Sequence, residues 1–151
     1  MKILIIIALV LVTLIAIAFG FIYWQNSQVP ELGHQGGQLT PLSDNPNGVS
    51  TQTDNAGKAV APWPFKSDRA ATMQAIKNAV AAHGGAEIVR EEEDYLRVVF
   101  VTPKMRFRDD VEFYLDQTAR QVHFRSESRA GKSDMGLNRQ RYEQLTTEYA
   151  R

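Results

Sequence analysis

The chain of 151 residues contains no cysteine, which removes disulfides, thiolate catalysis, lipid attachment at cysteine and thiolate-held metals in one step. It has no surplus charge of either sign. Lys+Arg 17 balance Asp+Glu 17, so the Lys/Arg excess needed to neutralise phosphates is missing and no nucleic-acid partner is expected. Histidine is scarce as well: His34, His83 and His123 are scattered along the chain, which speaks against a metal site or a catalytic triad and suits surface positions. No GxxxxGKS/T phosphate loop and no internal repeat is visible. No cofactor is expected.

Apolar residues are concentrated at the N-terminus. Ile3 to Trp24 runs without a charge, long enough as a helix to cross a hydrocarbon core of ~30 Å. Lys2 marks the cytoplasmic flank, and Tyr23 and Trp24 stand where interfacial aromatics belong at the other end, so residues 1–24 read as an anchor with the remainder outside. A cleaved signal peptide is the competing reading, because Ala16-Ile17-Ala18 has the small-x-small form of a cleavage site. The length of the span favours the anchor, and the bilayer is then a partner through residues 3–24.

Residues 25–40, with Pro30, Gly33, Gly36, Gly37 and several glutamines, have the composition of a flexible linker. Residues 41–151 read as one soluble domain. It opens with a turn-rich stretch to Lys58 and with Pro62-Trp63-Pro64-Phe65, an extended strap expected to pack on the core. Ser67-Asp68 signals a helix start, and Ala70, Met73, Ile76 and Val80 form an apolar stripe that Gly84-Gly85 ends. Four β-rich stretches follow, Ala86 to Arg90, Tyr95 to Val101, Met105 to Leu115 and Gln121 to Ser128. Met135, Asn138, Tyr142, Leu145 and Tyr149 then recur at helical intervals. The order α-β-β-β-β-α with short connections predicts an α+β fold: a two-layer sandwich of a four-stranded antiparallel sheet with two helices on one face.

Met105 to Asp116 alternates strictly. Met105, Phe107, Val111, Phe113 and Leu115 share one face with a single carboxylate, Asp109, among them, while Arg106, Arg108, Asp110, Glu112, Tyr114 and Asp116 share the other. Matching apolar faces across a Gln117 to Arg120 loop pairs Leu115 with Val122, Tyr114 with His123, Glu112 with Arg125, and Asp109 with Ser128. The outer Glu112–Arg125 side reads as a solvated charge ladder, which makes Asp109 the buried acid and Asp110 the exposed one. Adjacent in a strand, the two aspartates point to opposite faces and cannot act as one acid/base pair.

On the inner face Asp109, Ser126, Ser128 and Asn138 are expected to converge beneath the loop that carries Arg129, Gly131 and Asp134, with Arg139 just inside the last helix. A buried hydrogen-bond network pinning that helix to the sheet is one reading. The other is an anion site, with Arg129, Arg139 and glycine-loop N–H groups receiving a phosphate or carboxylate.

Two stretches, Arg125-Ser126-Glu127-Ser128-Arg129-Ala130-Gly131-Lys132-Ser133-Asp134-Met135-Gly136-Leu137-Asn138-Arg139 and Phe107-Arg108-Asp109-Asp110-Val111-Glu112-Phe113, resemble the domain-of-unknown-function 1499 family. The resemblance runs from about Pro41 to the C-terminus. It implies a small bacterial or plastid protein, often with an N-terminal membrane segment, and supplies no activity. Asn45-Pro46-Asn47-Gly48-Val49-Ser50-Thr51 looks like the family's P-N-C-V-S-S segment, but Leu42 and Gly48 stand where many relatives have cysteine. Whatever the domain does therefore does not require those sulfurs. Together these readings predict a single-pass protein of the bacterial cytoplasmic membrane, its C-terminal domain in the periplasm. The domain would be a non-catalytic module that takes an envelope protein or a small anionic or lipid-like ligand; a small hydrolase or anion-ligand site centred on Asp109 and the Arg129–Arg139 loop is the alternative.

Overall fold

The computed structural model describes all 151 residues. Helix α1 (Lys2–Ser27) is apolar around its whole circumference and its side chains from Ile3 to Phe21 pack on nothing, so it has no core-facing stripe. At 26 residues it is long and apolar enough to cross a membrane. The chain then forms a small hairpin, β1 (His34–Gln35) and β2 (Gln38–Leu39), joined by Gly36 and Gly37. Both glycines have positive φ, 58° and 83°, the hand that a two-residue hairpin turn requires. Strands β3 (Gly48–Ser50) and β4 (Trp63–Pro64) lie either side of a turn-rich loop.

Helix α2 (Arg69–His83) starts one residue later than Ser67 suggests: Asp68 is its N-cap, accepting from the Ala71 N–H at 2.8 Å. Met73, Ile76, Ala79 and Val80 bury its inner face, Ala70 does not, and Gly84 and Gly85 end it. Strands β5 (Ala86–Glu91), β6 (Tyr95–Val101), β7 (Arg108–Asp116) and β8 (Gln121–Ser128) follow as a meander, and α3 (Leu137–Ala150) closes the domain. Met135, counted above in the helical stripe, lies outside α3 on an exposed turn.

The sheet has six strands rather than four, in the order β3-β8-β7-β6-β5, with β4 also paired to β8. The two additional strands are two or three residues long and come from Pro- and Asn-rich sequence without alternation, so no periodicity announces them. Their role is to cover the open edge of β8, β3 along Arg125–Glu127 and β4 along Gln121–Val122. The β7–β8 register is the expected one throughout, from Leu115↔Val122 to Asp109↔Ser128. Helices α2 and α3 cover the inner face, and Trp63 is the hub of that core, its ring centroid 4.7 Å from Tyr149 and 5.6 Å from Phe113.

Much of the outer face is covered rather than solvated. Residues 26–47 lie across it: Leu39 is buried, and His34 stacks on Tyr114 with centroids 4.3 Å apart. Of residues 25–40, whose composition reads as a flexible linker, 25–27 complete α1 and 34–39 form the hairpin that lies on the sheet. Beneath that cover Glu112 is fully buried, and Asp110, Arg97 and Arg125 are buried with it. The exposed ladder expected there is a sealed layer of ion pairs, and the cause is the cover, which amphipathic patterning of the strands alone does not reveal.

Candidate functional site

The polar residues of β7 and β8 sort into two clusters, one on each face of the sheet. On the inner face Asp109 is 1% exposed, and Arg141 of α3 donates to its Oδ2 at 2.5 Å. The same guanidinium donates to Asn138 Oδ1 at 2.6 Å and lies over the Phe100 ring at 4.7 Å. Asn138 Oδ1 also accepts from Ser126, while its amide donates to Ser128 Oγ at 3.0 Å, Asp134 Oδ2 at 2.8 Å and the Asn47 carbonyl at 2.9 Å. Asp134 Oδ2 takes the Asn138 N–H as well, at 2.7 Å, satisfying one of the free donors at the start of α3. Asp109, Ser126, Ser128, Asp134 and Asn138 therefore meet as the sequence implies. They meet in a network around Arg141, whose buried Nε has no partner, a residue the sequence reading missed although it lies three after Asn138 on the same helical face.

Arg129, Arg139 and Gly131 do not join it. Arg129 reaches the outer face, where its Nε donates to Asp110 Oδ2 at 2.6 Å and its Nη2 to Oδ1 at 3.0 Å. Arg139 donates to the backbone carbonyls of Gly57 and Ala59 at 3.0 and 3.2 Å. Gly131 contributes only its carbonyl, which accepts from Asn47 Nδ2 at 3.0 Å. The two arginines of the proposed anion site are thus far from acting together.

The outer cluster is the larger. Asp110 is as buried as Asp109, at 1%, and is held by Arg97 at 2.6 Å as well as by Arg129, so the expectation that Asp110 is exposed is overturned. Glu112 accepts from the Tyr95 hydroxyl at 2.6 Å and from Arg125 at 3.2 Å, and Arg125 also pairs with Glu127. Glu127 is tied to the cover through Ser43, whose N–H and hydroxyl donate to its Oε1 at 2.9 and 2.6 Å. Burial pushes the Glu112 carboxyl above its ordinary range against the pull of Tyr95 and Arg125, and burial also pushes the Tyr95 hydroxyl up.

Above this cluster, where α1 ends, lies a cavity of about 250 Å³ with no hydrophobic residue in its lining. Gln25 of α1, Gln28 just after it, Asn47 before β3, and Asp110, Arg125 and Arg129 from the sheet side all contribute. Two buried atoms among these residues have no hydrogen-bond partner, Asn47 Oδ1 and Arg125 Nε, an acceptor and a donor. Elsewhere, His34, Glu92 and Asp94 bring donor atoms within 4.8 Å of one another, but Glu92 already accepts from Arg90 Nε at 2.6 Å. His83 and His123 lie apart from that group; burial pulls the His123 imidazole below its ordinary value, and its Nδ1 is 3.2 Å from Thr51 Oγ1.

Leu42 and Gly48, where the resemblance led to an expectation of cysteine, are neighbours. A Cβ at residue 48 would stand 2.9 Å from Leu42 Cδ2 and 2.8 Å from the Ser126 carbonyl, so Leu42 fills the space that a side chain at 48 would need.

Neither a curated protein nor a solved structure matches the chain. One family model does, that of a protein of unknown function (DUF1499), over residues 38–148. The match begins in β2 and ends in α3, taking in the sheet, both domain helices and both polar clusters but not α1. By that coverage of most of its length, the chain belongs to the DUF1499 family.

Proposed function

We propose that the chain is a membrane-anchored envelope protein whose domain is a non-catalytic binding module on the outer side of the cytoplasmic membrane. The observation that carries this reading is the cavity at the foot of α1, where Gln25, Gln28, Asn47, Asp110, Arg125 and Arg129 converge and no hydrophobic residue lines the space. Amide, carboxylate and guanidinium side chains converging on one space suit a small polar molecule. The flanks of the helix support the orientation: Lys2 at one end, Tyr23 and Trp24 at the other.

A hydrolase or anion site centred on Asp109 and the Arg129–Arg139 loop has less support. Arg141 closes Asp109 off from solvent, Asp110 neutralises Arg129, and Arg139 is engaged by backbone elsewhere. Native mass spectrometry of the full chain, released from its own membrane, tests the binding reading. A small adduct is expected on the wild type and is expected to be lost in Gln28→Trp, which fills the cavity with an indole. No adduct, or one indifferent to Gln28→Trp, would reject the cavity as a binding site.

A further inference from the structure

The end of the domain from which α1 emerges has a second, exposed face. The antiparallel pairings Phe100↔Asp109 and Asp109↔Ser128 bring the β6–β7 loop, 102–107, and the β8–α3 loop, 129–136, to the same end. We infer that these two loops form a lipid-contact surface that rests on the anionic headgroups of the bilayer crossed by α1; the inference builds on the anchor reading above.

Depth is the first argument. Tyr23 belongs to the apolar run, yet its hydroxyl donates to the Met105 carbonyl at 3.1 Å and its ring centroid is 6.0 Å from that of Phe107. One turn later Asn26 donates to the Arg106 carbonyl at 3.0 Å and accepts from the Arg108 N–H at 2.7 Å. A tyrosine at the edge of a span sits at headgroup level, so the loop hydrogen-bonded to it sits there too.

Composition is the second. The two loops expose Lys104, Arg106 and Lys132, whereas their one acid, Asp134, is occupied in starting α3. Between these cations stand two apolar side chains turned away from the core, Met105 and Met135, the latter 99% exposed. Unbranched apolar groups flanked by lysine and arginine match the headgroup boundary of an anionic leaflet, where the cations meet phosphate and the methionines reach the first methylenes.

The absence of cysteine permits a direct test in the full chain, reconstituted in vesicles of mixed phosphatidylglycerol and phosphatidylethanolamine. Single replacements Met105→Cys, Met135→Cys, Thr118→Cys at the opposite end of the sheet, and Val12→Cys within α1 each carry an environment-sensitive fluorophore. Quenching is read with iodide in water and with a nitroxide at headgroup depth in the lipid. At 105 and 135 iodide quenching is expected to be several-fold weaker than at 118, and nitroxide quenching correspondingly stronger. Vesicles of phosphatidylcholine alone, or the combined replacements Lys104→Gln, Arg106→Gln and Lys132→Gln, are expected to move 135 toward the behaviour of 118. Iodide access at 135 equal to that at 118, with position 12 still shielded by lipid, overturns the contact surface and leaves the anchor standing. Iodide access at position 12 overturns both. Shielding at 135 without nitroxide quenching points to a second copy of the chain rather than lipid, and likewise overturns the inference.

Discussion

Asp109 and Asp110 differ in which face of β7 they occupy, and each is shut beneath an arginine: Arg141 for the first, Arg97 and Arg129 for the second. Removing one partner of a buried pair leaves the other charged and unsolvated, which costs about 3–5 kcal/mol. Asp109→Ala and Asp110→Ala are therefore both expected to lower stability by amounts of that order in urea unfolding, with Asp110→Ala the more severe because it strands two cations. A surface-like effect at Asp110 would contradict the sealed outer face. Glu112 adds a signature in pH. Its folded carboxyl titrates above the ordinary 4.5, so between those values the folded chain keeps a proton that the unfolded chain has released. Stability must then fall as pH rises through that window. Measured against Glu112→Gln across a pH series, the wild type is expected to lose ground above 4.5 and to level off once the folded carboxyl ionises; a flat difference would disprove the burial effect. Gly48→Ala is expected to destabilise by crowding the Ser126 carbonyl, and pairing it with Leu42→Ala cannot relieve that backbone contact, as the melting temperatures of both variants will show.

At the scale of elements, the meander and both domain helices were legible because alternation and helical spacing are local properties of a chain. The β7–β8 register followed from one constraint, that Val111, Phe113 and Leu115 face the same side as Val122 and Phe124. The convergence of Asp109, Ser126, Ser128 and Asn138 was legible for the same reason, but the partner of Asp109 was not: Ser128, Asn138 and Arg129 or Arg139 were expected to satisfy it, and Arg141 does. What stayed hidden depends on contacts between distant segments. Nothing local in Gly48–Ser50 or Trp63–Pro64 distinguishes a short edge strand from a loop, and nothing in residues 28–40 shows that they roof the sheet rather than swing free. Leu39 tests the roof. Its side chain is buried and Leu→Ala in such a site costs roughly 2–5 kcal/mol, so Leu39→Ala is expected to destabilise the whole domain and to speed hydrogen exchange at Tyr95–Val99, whereas a free linker would register no change.

For the whole molecule, the sharpest expectation concerns sidedness. Alkaline phosphatase fused after Arg151 is expected to be active and a cytoplasm-dependent fluorescent protein at the same position dark; the reverse pattern would place the domain inside the cell. The way the helix is joined to the domain then has a consequence of its own. Asn26 is still part of α1 when it bonds to Arg106 and Arg108, so no hinge separates the span from the first residue of β7. A helix of fixed length adjusts to a thinner or thicker bilayer by changing its tilt. On the anchor reading, a change of tilt would reach β7, the strand that carries Asp109, Asp110 and Glu112, through the hydrogen bonds of Asn26. On that reading, the thickness of the lipid around the helix is expected to bear on the alignment of the buried ion pairs.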